Sequence, residues 1–155
     1  MRKNFFLVLC GFLVFVADQA VKIFLIRSLR PYQTIPVIKN IFHITLVFNR
    51  GCAFGLFRNQ PAVIFSMISL AAVIFLLYFL RRLNEGQFFS RLAAVLLISG
   101  ALSNLADRVR LGVVVDFLDF RIWPVFNLGD SAITIGILIL VLNMSLKVKK
   151  DKCIR

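Results

Sequence analysis

The stretch PAVIFSMISLAAVIFLLYFL, residues 61–80, contains no acidic, basic or histidine side chain. At a rise of about 1.5 Å per residue, a helix of this length spans about 30 Å, the thickness of the hydrocarbon core of a bilayer. Similar apolar runs lie at about 5–26, 91–107 and 128–146, and 60% of the 155 residues are hydrophobic. Soluble domains carry a smaller apolar share. We therefore predict an all-α membrane protein, with four transmembrane helices forming one domain over residues 1–155.

Basic residues are distributed unevenly among the segments that flank these helices. The terminal segments 1–4 and 147–155 and the connection 81–91 together carry more Lys and Arg, in fewer positions, than the long connections 27–60 and 108–127. Lys and Arg close to helix ends are retained on the cytoplasmic side. Both termini are therefore expected in the cytoplasm, and the two long connections outside it. Because the net charge of +12 lies at helix ends, it favours membrane phospholipids over nucleic acid as partners.

The two long connections have the composition of β-strands. In residues 41–49 apolar and polar side chains alternate, which is the period of a half-buried strand. One predicted face holds Phe42, Ile44, Leu46 and Phe48, and the other holds His43, Thr45 and Asn49. Residues 112–120 are also β-prone. We predict a small β-rich platform on the extracytoplasmic side of the four-helix bundle.

The placement of the acidic residues is unusual. Only two of the seven, Glu85 and Asp151, fall in segments expected in the cytoplasm. A carboxylate near hydrocarbon is costly unless it is paired or functional. The other five therefore need a structural or chemical reason, and they are Asp18, Asp107, Asp116, Asp119 and Asp130.

Two polar patterns in the helices allow both a structural and a functional interpretation. Asp18 and Lys22 are four residues apart on one face, so they form either a self-neutralised pair or neighbours of a site. In the third helix, small and polar residues recur at helical spacing, which serves helix packing or directs donors into the bundle. These residues are Gly100, Ser103, Asn104 and Asp107, with Arg108 just beyond them.

Asp116 and Asp130 are the strongest candidates for chemistry. Asp116 and Asp119 point to opposite faces of a strand, and Asp119 is expected to pair with Arg121 at the surface. Asp130 lies in the first turn of the last helix, on the same side of the membrane as Asp116. Two carboxylates held close share one proton, so the charged one can deprotonate water while the neutral one donates to a carbonyl. Asp130 is the natural base, because the helix N-terminus favours an ionised carboxylate.

Other hydrolytic arrangements fit the sequence less well. Lys22 with Ser28, Ser99 or Ser103 would form a Ser–Lys dyad, but Asp18 one turn away keeps Lys22 protonated. Cys52 and His43 make a weak Cys–His pair. A single His without the H-E-x-x-H motif argues against zinc, so neither a metal nor a cofactor is expected.

Five motifs, in their order and spacing, resemble those of the lipoprotein (type II) signal peptidases. They are Asp18-Gln19 with Lys22; Phe48-Asn49-Arg50-Gly51-Cys52-Ala53-Phe54-Gly55; Gly100-Ala101-Leu102-Ser103-Asn104 with Asp107-Arg108; Val114-Val115-Asp116-Phe117; and Phe126-Asn127-Leu128-Gly129-Asp130. The resemblance implies a multi-pass aspartic endopeptidase of the bacterial cytoplasmic (inner) membrane, with its active site near the extracytoplasmic face. Such enzymes cut diacylglyceryl-modified prolipoproteins on the N-terminal side of the lipidated Cys.

The resemblance also implies roles for individual residues. Asp116 and Asp130 match the catalytic pair, and Asp18 and Lys22 match the polar pair of the first helix. Positions that bind substrate or support the site are matched by Asn49, Gly51, Asn104, Arg108 and Asn127. The chain departs from the family at Cys52, Ser103 and Gly129, where Ala, Gly and Ala are common. All three residues are small, so the pocket is expected to keep its volume, and Cys52 could confer sensitivity to thiol reagents.

The expected partners are lipid-modified prolipoprotein signal peptides and membrane phospholipids, and the expected oligomeric state is a monomer. A second class of function also fits the sequence. A non-enzymatic transporter subunit or scaffold would use the same acids, paired with Arg108 and Lys22, for structure or proton movement.

Overall fold

A computed structural model describes residues 2–51, 62–84 and 86–153 of the chain. Within these ranges there are four helices and three strands. In chain order they are α1 (Arg2–Ser28), β1 (Thr34–Ile38), β2 (Phe42–Asn49), α2 (Ala62–Arg82), α3 (Phe88–Leu111), β3 (Val114–Asp119) and α4 (Leu128–Cys153). Cys52 and most of the segment that precedes α2 lie outside the described residues.

All four helices are long and apolar enough to cross a membrane. The spans that meet this condition are Asn4–Ser28, Val63–Arg82, Phe88–Leu111 and Leu128–Leu146. The four-helix membrane fold predicted from hydropathy is therefore confirmed. Large apolar side chains along α1, α2 and α4 point away from the bundle, as expected of helices that face lipid.

The third helix is the centre of the bundle, because α1, α2 and α4 all pack against it. Its small residues Ala93 and Ala94 are fully buried. The helix is longer than predicted and ends when Gly112 adopts a left-handed conformation with φ of 72°. The N–H of Gly112 donates to the carbonyl of Arg108 at 3.0 Å, which closes the last turn. Arg108 therefore lies on the helix and not in the connection that follows it.

The three strands form one antiparallel sheet in the order β1-β2-β3. The β2 and β3 strands agree with the β-prone segments of the sequence, whereas β1, which contains Pro36, was not predicted. One face of the sheet packs against the C-terminal end of α1, through a core formed by Leu25, Leu46, Val115 and Phe117. The sheet is thus fixed to the first helix close to the point where α4 begins.

A β-bulge interrupts the pairing of β2 with β3 between Ile44 and Val47. As a result Thr45 and Leu46 are both buried, so the strict alternation expected for residues 41–49 is wrong at this point. An extra residue in one strand rotates the side chains that follow it. Beyond the bulge, Val47 pairs with Asp116. The side chain of Asn49, two residues further along β2, reaches the Asp116 carboxylate and donates a hydrogen bond to it.

Candidate active site

Asp116 lies in the middle of β3 and is almost fully buried. The amide of Asn127 donates to one carboxylate oxygen at 2.7 Å, and the amide of Asn49 donates to the other at 3.0 Å. Asn49 is the last residue of β2, so the sheet itself brings this donor to Asp116. The carboxyl group is therefore held in one orientation from both sides.

Asp130 lies in the first turn of α4 and shares reciprocal hydrogen bonds with Asn127. The backbone N–H of Asp130 donates to the Asn127 side-chain oxygen at 2.8 Å, and the N–H of Asn127 donates to the Asp130 carboxylate at 3.3 Å. This is the geometry of a capping box, which satisfies donors that a helix N-terminus leaves free. The amide of Asn104 donates to the second Asp130 oxygen at 2.7 Å.

Asn127 joins the two carboxyl groups. Its side chain is fully buried, and it contacts Asp116, Asp130 and the side-chain oxygen of Asn104. Two carboxyl groups from separate elements, a strand and a helix, are thus linked through one residue, whose side-chain amide donates to Asp116 and whose backbone N–H donates to Asp130. The structure brings together the pair that the sequence analysis singled out, and it places Asn49, Asn104 and Asn127 around that pair.

The environment of Asp116 favours its protonated form. Burial, followed by the negative charge of Asp130, raises the pKa of Asp116 from 3.8 to about 7. The hydrogen bonds from Asn49 and Asn127, and the charge of Lys22, act in the opposite direction. At neutral pH this carboxyl group is therefore close to half protonated.

Lys22 lies behind the pair, buried between two acids. Its ammonium group is 2.6 Å from the carboxylate of Asp18 and 2.7 Å from that of Asp107, and it donates to the Asn104 side-chain oxygen at 3.1 Å. Asp18 in turn accepts a hydrogen bond from the N–H of Leu128 at 2.9 Å. The first helix therefore supports both Asn104 and the start of α4.

Arg108 and Gly51 line the same space as the two acids. The guanidinium of Arg108 donates to the hydroxyl of Ser69 at 3.2 Å and lies over the ring of Phe65, at 5.9 Å from its centre. The N–H of Gly51 donates to the side-chain oxygen of Asn49 at 3.0 Å. Arg108 is thus held by α2, and Gly51 helps to orient Asn49.

The acids open into a cavity of about 1540 Å³ between the sheet, α3 and α4. Its lining carries Asp116 and Asp130 together with other polar groups, among them Arg108 and Thr134, and is otherwise mostly apolar. A cavity of this kind, mostly apolar with a few convergent polar groups, is typical of ligand-binding sites. The apolar wall includes Leu111, Val113, Ile122, Trp123, Val125, Ile133 and Ile135.

Asp119 does not join this site. Its carboxylate is 3.1 Å from the guanidinium of Arg121, so the expected pairing is present. The expected surface position is wrong, however, because Asp119 is only 4% exposed and also accepts a hydrogen bond from Thr45 at 2.7 Å. The bulge in β2 explains this burial, since it turns the hydroxyl of Thr45 towards Asp119.

The structure also shows the surroundings of residues from the Ser–Lys, Cys–His and zinc alternatives to the acid pair. Ser103 donates its hydroxyl to Asp18 at 2.6 Å, and Lys22 is engaged by two carboxylates, so neither is poised as a nucleophile or a base. Both ring nitrogens of His43 are buried without a hydrogen-bond partner in the described part of the chain. No group of three or more His, Cys, Asp or Glu residues that could hold a metal ion occurs among the described residues.

Two residues of the polar network, Asp107 and Gln19, were not predicted as site residues from the sequence. Asp107 is the second partner of Lys22, and Gln19 donates to Asp107 at 2.9 Å. The available signal was that Asp107 lies three residues from Asn104, on the same face of α3. For Ser69, the partner of Arg108 on α2, the sequence offered no signal.

Fold and site together define a multi-pass membrane protein with a pair of acids in a large, mostly apolar cavity. The sequence model of the signal peptidase (SPase) II family matches residues 10–146. The chain belongs to this family, which implies that it is a peptidase.

Named relatives and solved structures agree with this assignment. The chain is 44% identical to the lipoprotein signal peptidase of Halothermothrix orenii over 130 residues, which are 84% of this chain and 88% of that one. It is 49% identical to the lipoprotein signal peptidase of Clostridioides difficile over 121 residues, 77% of this chain and 80% of that one. A bacterial membrane enzyme solved at 2.3 Å by the in meso method is similar in fold, with a TM-score of 0.84 and 32% identity over 94% of this chain and 90% of that one.

Proposed function

We propose that this chain is an aspartic endopeptidase that removes signal peptides from diacylglyceryl-modified prolipoproteins, cutting on the N-terminal side of the lipidated Cys. The observation that carries the proposal is that the carboxyl groups of Asp116 and Asp130, which line one cavity, both accept hydrogen bonds from Asn127. The names of the relatives supply the substrate class.

The two acids divide the chemistry of hydrolysis between them. Asp130, at the positive end of the α4 dipole, takes a proton from water as the water oxygen bonds to the scissile carbonyl carbon. Asp116 acts in its protonated form, which a pKa of about 7 keeps populated near neutral pH, and gives its proton to the carbonyl oxygen, so that a gem-diol results. The C–N bond then breaks as protonated Asp130 donates to the leaving nitrogen and Asp116 takes a proton back from the diol.

The remaining site residues position the acids and the peptide. Asn104 and Asn127 hold Asp130, and Asn49 holds Asp116, so the acids are oriented before substrate arrives. Arg108 and Gly51 line the cavity beside the acids, where they can bind the backbone of an extended peptide. The apolar wall accepts the acyl chains of the substrate, which enters sideways from the bilayer. Asp18 and Lys22 support the site from behind.

The proposed setting is the bacterial cytoplasmic membrane. Both termini lie in the cytoplasm, in keeping with the bias of Lys and Arg towards the segments at that end of the helices. The sheet and the acids then lie at the extracytoplasmic face, where a translocated prolipoprotein arrives. The site residues that the structure describes all belong to one domain of one chain, and the proposed working unit is a monomer.

The test is cleavage of a diacylglyceryl-modified prolipoprotein by the purified chain in detergent, with and without a chelator. Wild type should cut in both conditions, whereas Asp116→Asn and Asp130→Asn should lose at least about 10³-fold in rate. Asn143→Ala is the matched control. It removes a hydrogen bond to Ser90 in the α3–α4 interface, far along α4 from Asp130, and should keep cleavage.

Two outcomes would contradict the proposal. Cleavage by a well-folded Asp116→Asn protein would show that the pair is not catalytic. A well-folded wild type that does not cut the lipid-modified substrate would favour the transporter or scaffold interpretation. Unfolding temperatures in detergent, measured for every variant, separate loss of chemistry from loss of fold.

A further inference from the structure

Residues 120–126, which connect β3 to α4, expose large apolar side chains at their tip. Ile122 is 93% exposed and Trp123 is 60% exposed. Soluble surfaces rarely present contiguous apolar groups of this size, and such patches mark contact with a membrane or a partner. We name this segment the 120–126 loop.

The position of the loop points to lipid. Ile122 and Trp123 line the same cavity as Ile133 and Ile135, which belong to the membrane-capable span Leu128–Leu146 of α4. Residues on the first two turns of that span lie at the boundary between headgroups and hydrocarbon. The shared cavity therefore places the tip of the loop at the end of α4 that begins the span, near this boundary.

The base of the loop is rigid. The carbonyl of Phe126 accepts hydrogen bonds from the N–H groups of Phe117 and Leu118 at 2.9 and 2.7 Å, and its N–H donates back to Leu118 at 3.1 Å. The ring of Phe120 stacks on that of Phe126, with centroids 5.9 Å apart, and packs against Phe42 at 4.9 Å. Because the base is fixed, the backbone of the loop loses no further conformational entropy when the apolar tip makes a contact.

Asp119 sets the turn from which the tip projects. Its carboxylate accepts hydrogen bonds from the N–H of Arg121 at 2.9 Å and from the Arg121 guanidinium at 3.1 Å, while Arg121 has a left-handed φ of 66°. Burial acts to raise the pKa of Asp119, but the hydrogen bonds from Thr45 and Arg121 outweigh it and lower that pKa. The acid therefore stays ionised and holds the turn at neutral pH.

The charge of the loop also suits a lipid surface. Arg121, half exposed beside the apolar tip, places a cation next to Ile122. A basic side chain at headgroup depth beside an aromatic and an aliphatic side chain is the pattern of membrane-interface anchors.

We propose that the 120–126 loop is a fixed wedge that inserts Ile122 and Trp123 into the bilayer leaflet nearest the sheet, with Arg121 at the lipid phosphates and Asp119 setting its direction. Inserted in this way, the loop joins the acyl region of that leaflet to the apolar wall of the cavity. The molecule that the loop tip contacts is therefore phospholipid. This inference does not depend on the peptidase chemistry.

Trp123 makes the proposal directly measurable, because it is the only Trp in the chain. The full-length protein is reconstituted into phosphatidylglycerol–phosphatidylcholine vesicles whose acyl chains carry bromine near the headgroup, at mid-chain or near the methyl end. Lipids brominated near the headgroup should quench more than about half of the emission, and those brominated near the methyl end should quench least, as expected for an interfacial Trp. Aqueous iodide should quench weakly.

Variants separate insertion by the loop from general membrane association. Ile122→Glu should shift the emission to longer wavelength and lower the quenching by brominated lipid, because a carboxylate resists entry into hydrocarbon. Asp119→Ala should have the same effect in smaller degree. Val37→Glu, an equivalent exposed substitution on the β1 edge strand, should leave Trp123 quenching unchanged.

Three results would overturn the proposal. The first is strong iodide quenching of wild type with no quenching by brominated lipid. The second is equal quenching in wild type and Ile122→Glu. The third is quenching by lipid only at high protein density, which would make a second copy of the chain the occupant. Because no readout involves cleavage, failure here is distinct from failure of the proposed peptidase activity.

Discussion

At Asp116, burial and the charge of Asp130 act together, and they outweigh the hydrogen bonds that Asn49 and Asn127 donate to its carboxylate. The two amides therefore fix the geometry of the group without making it a strong acid. An acid that is half protonated near neutral pH can both give and take a proton within one turnover.

The first prediction concerns the pH dependence of cleavage. If Asp116 donates the first proton, the rate should fall as the pH rises through about 7, by about tenfold per pH unit above that value. Asn49→Leu removes a hydrogen bond that lowers the pKa of Asp116, so the midpoint should move to higher pH. Initial rates across a pH series test this, with Asn143→Ala as the control whose midpoint stays in place. A rate that rises through pH 7 would make Asp116 the first base instead.

The same shift affects folding stability. Because the pKa of Asp116 is about 7 in the folded chain, above its ordinary value of 3.8, the folded state binds more protons between these values. The resulting stabilisation is complete below pH 3.8 and is lost as the pH rises through about 7. The unfolding temperature of wild type should therefore fall more steeply towards alkaline pH than that of Asp116→Asn, which has no such group.

At the scale of elements, the close contact of α3 and α4 brings Asn104 to Asp130. A Cβ on Gly100 would overlap the carbonyl oxygen of Gly129 and would lie 2.8 Å from Ile133. Only glycine lets the start of α4 approach α3 to this distance, and small residues at helix interfaces serve this purpose in membranes.

A further prediction tests this contact. Gly100→Ala should lower stability by about 1–3 kcal/mol, because a methyl group meets backbone that cannot move aside. It should also lower the cleavage rate, since α4 must shift and Asp130 moves with it. Gly86→Ala is the control, because nothing lies within 4 Å of a Cβ at that position. An unchanged unfolding temperature and rate in Gly100→Ala would refute the close contact.

Elements were easier to predict from the sequence than their contacts. Length and hydropathy are sufficient to find the four helices, and alternation identified β2. The edge strand β1 was not predicted, because Pro36 and a short apolar run give no clear alternation of apolar and polar residues. The bulge at Thr45 and the second partner of Lys22 could not be predicted, because both depend on packing between segments that are distant in sequence.

At the scale of the whole molecule, the buried charges add polar links between α1, α3, β3 and α4, elements that also pack against one another. Lys22 of α1 binds Asp107 of α3, and the same Asp107 accepts a hydrogen bond from the N–H of Val115 in β3 at 3.2 Å. Asp18 binds the first N–H of α4 through Leu128. Helix, sheet and site are thus tied together by one cluster of polar groups within an apolar protein.

The last prediction removes the centre of this cluster. Lys22→Met should lower stability by about 3–5 kcal/mol, because Asp18 and Asp107 are left close together without a counter-charge. Combining it with Asp18→Asn and Asp107→Asn should restore much of that loss. Arg110→Met, which removes a donor to Gln19 at the exposed edge of the network, should cost less than about 1 kcal/mol. Unfolding in detergent measures all three, and cleavage rates should follow, since Lys22 also holds Asn104 beside Asp130. If Lys22→Met unfolded at the wild-type temperature, the buried cluster would not be what ties α1 to α3, the sheet and α4.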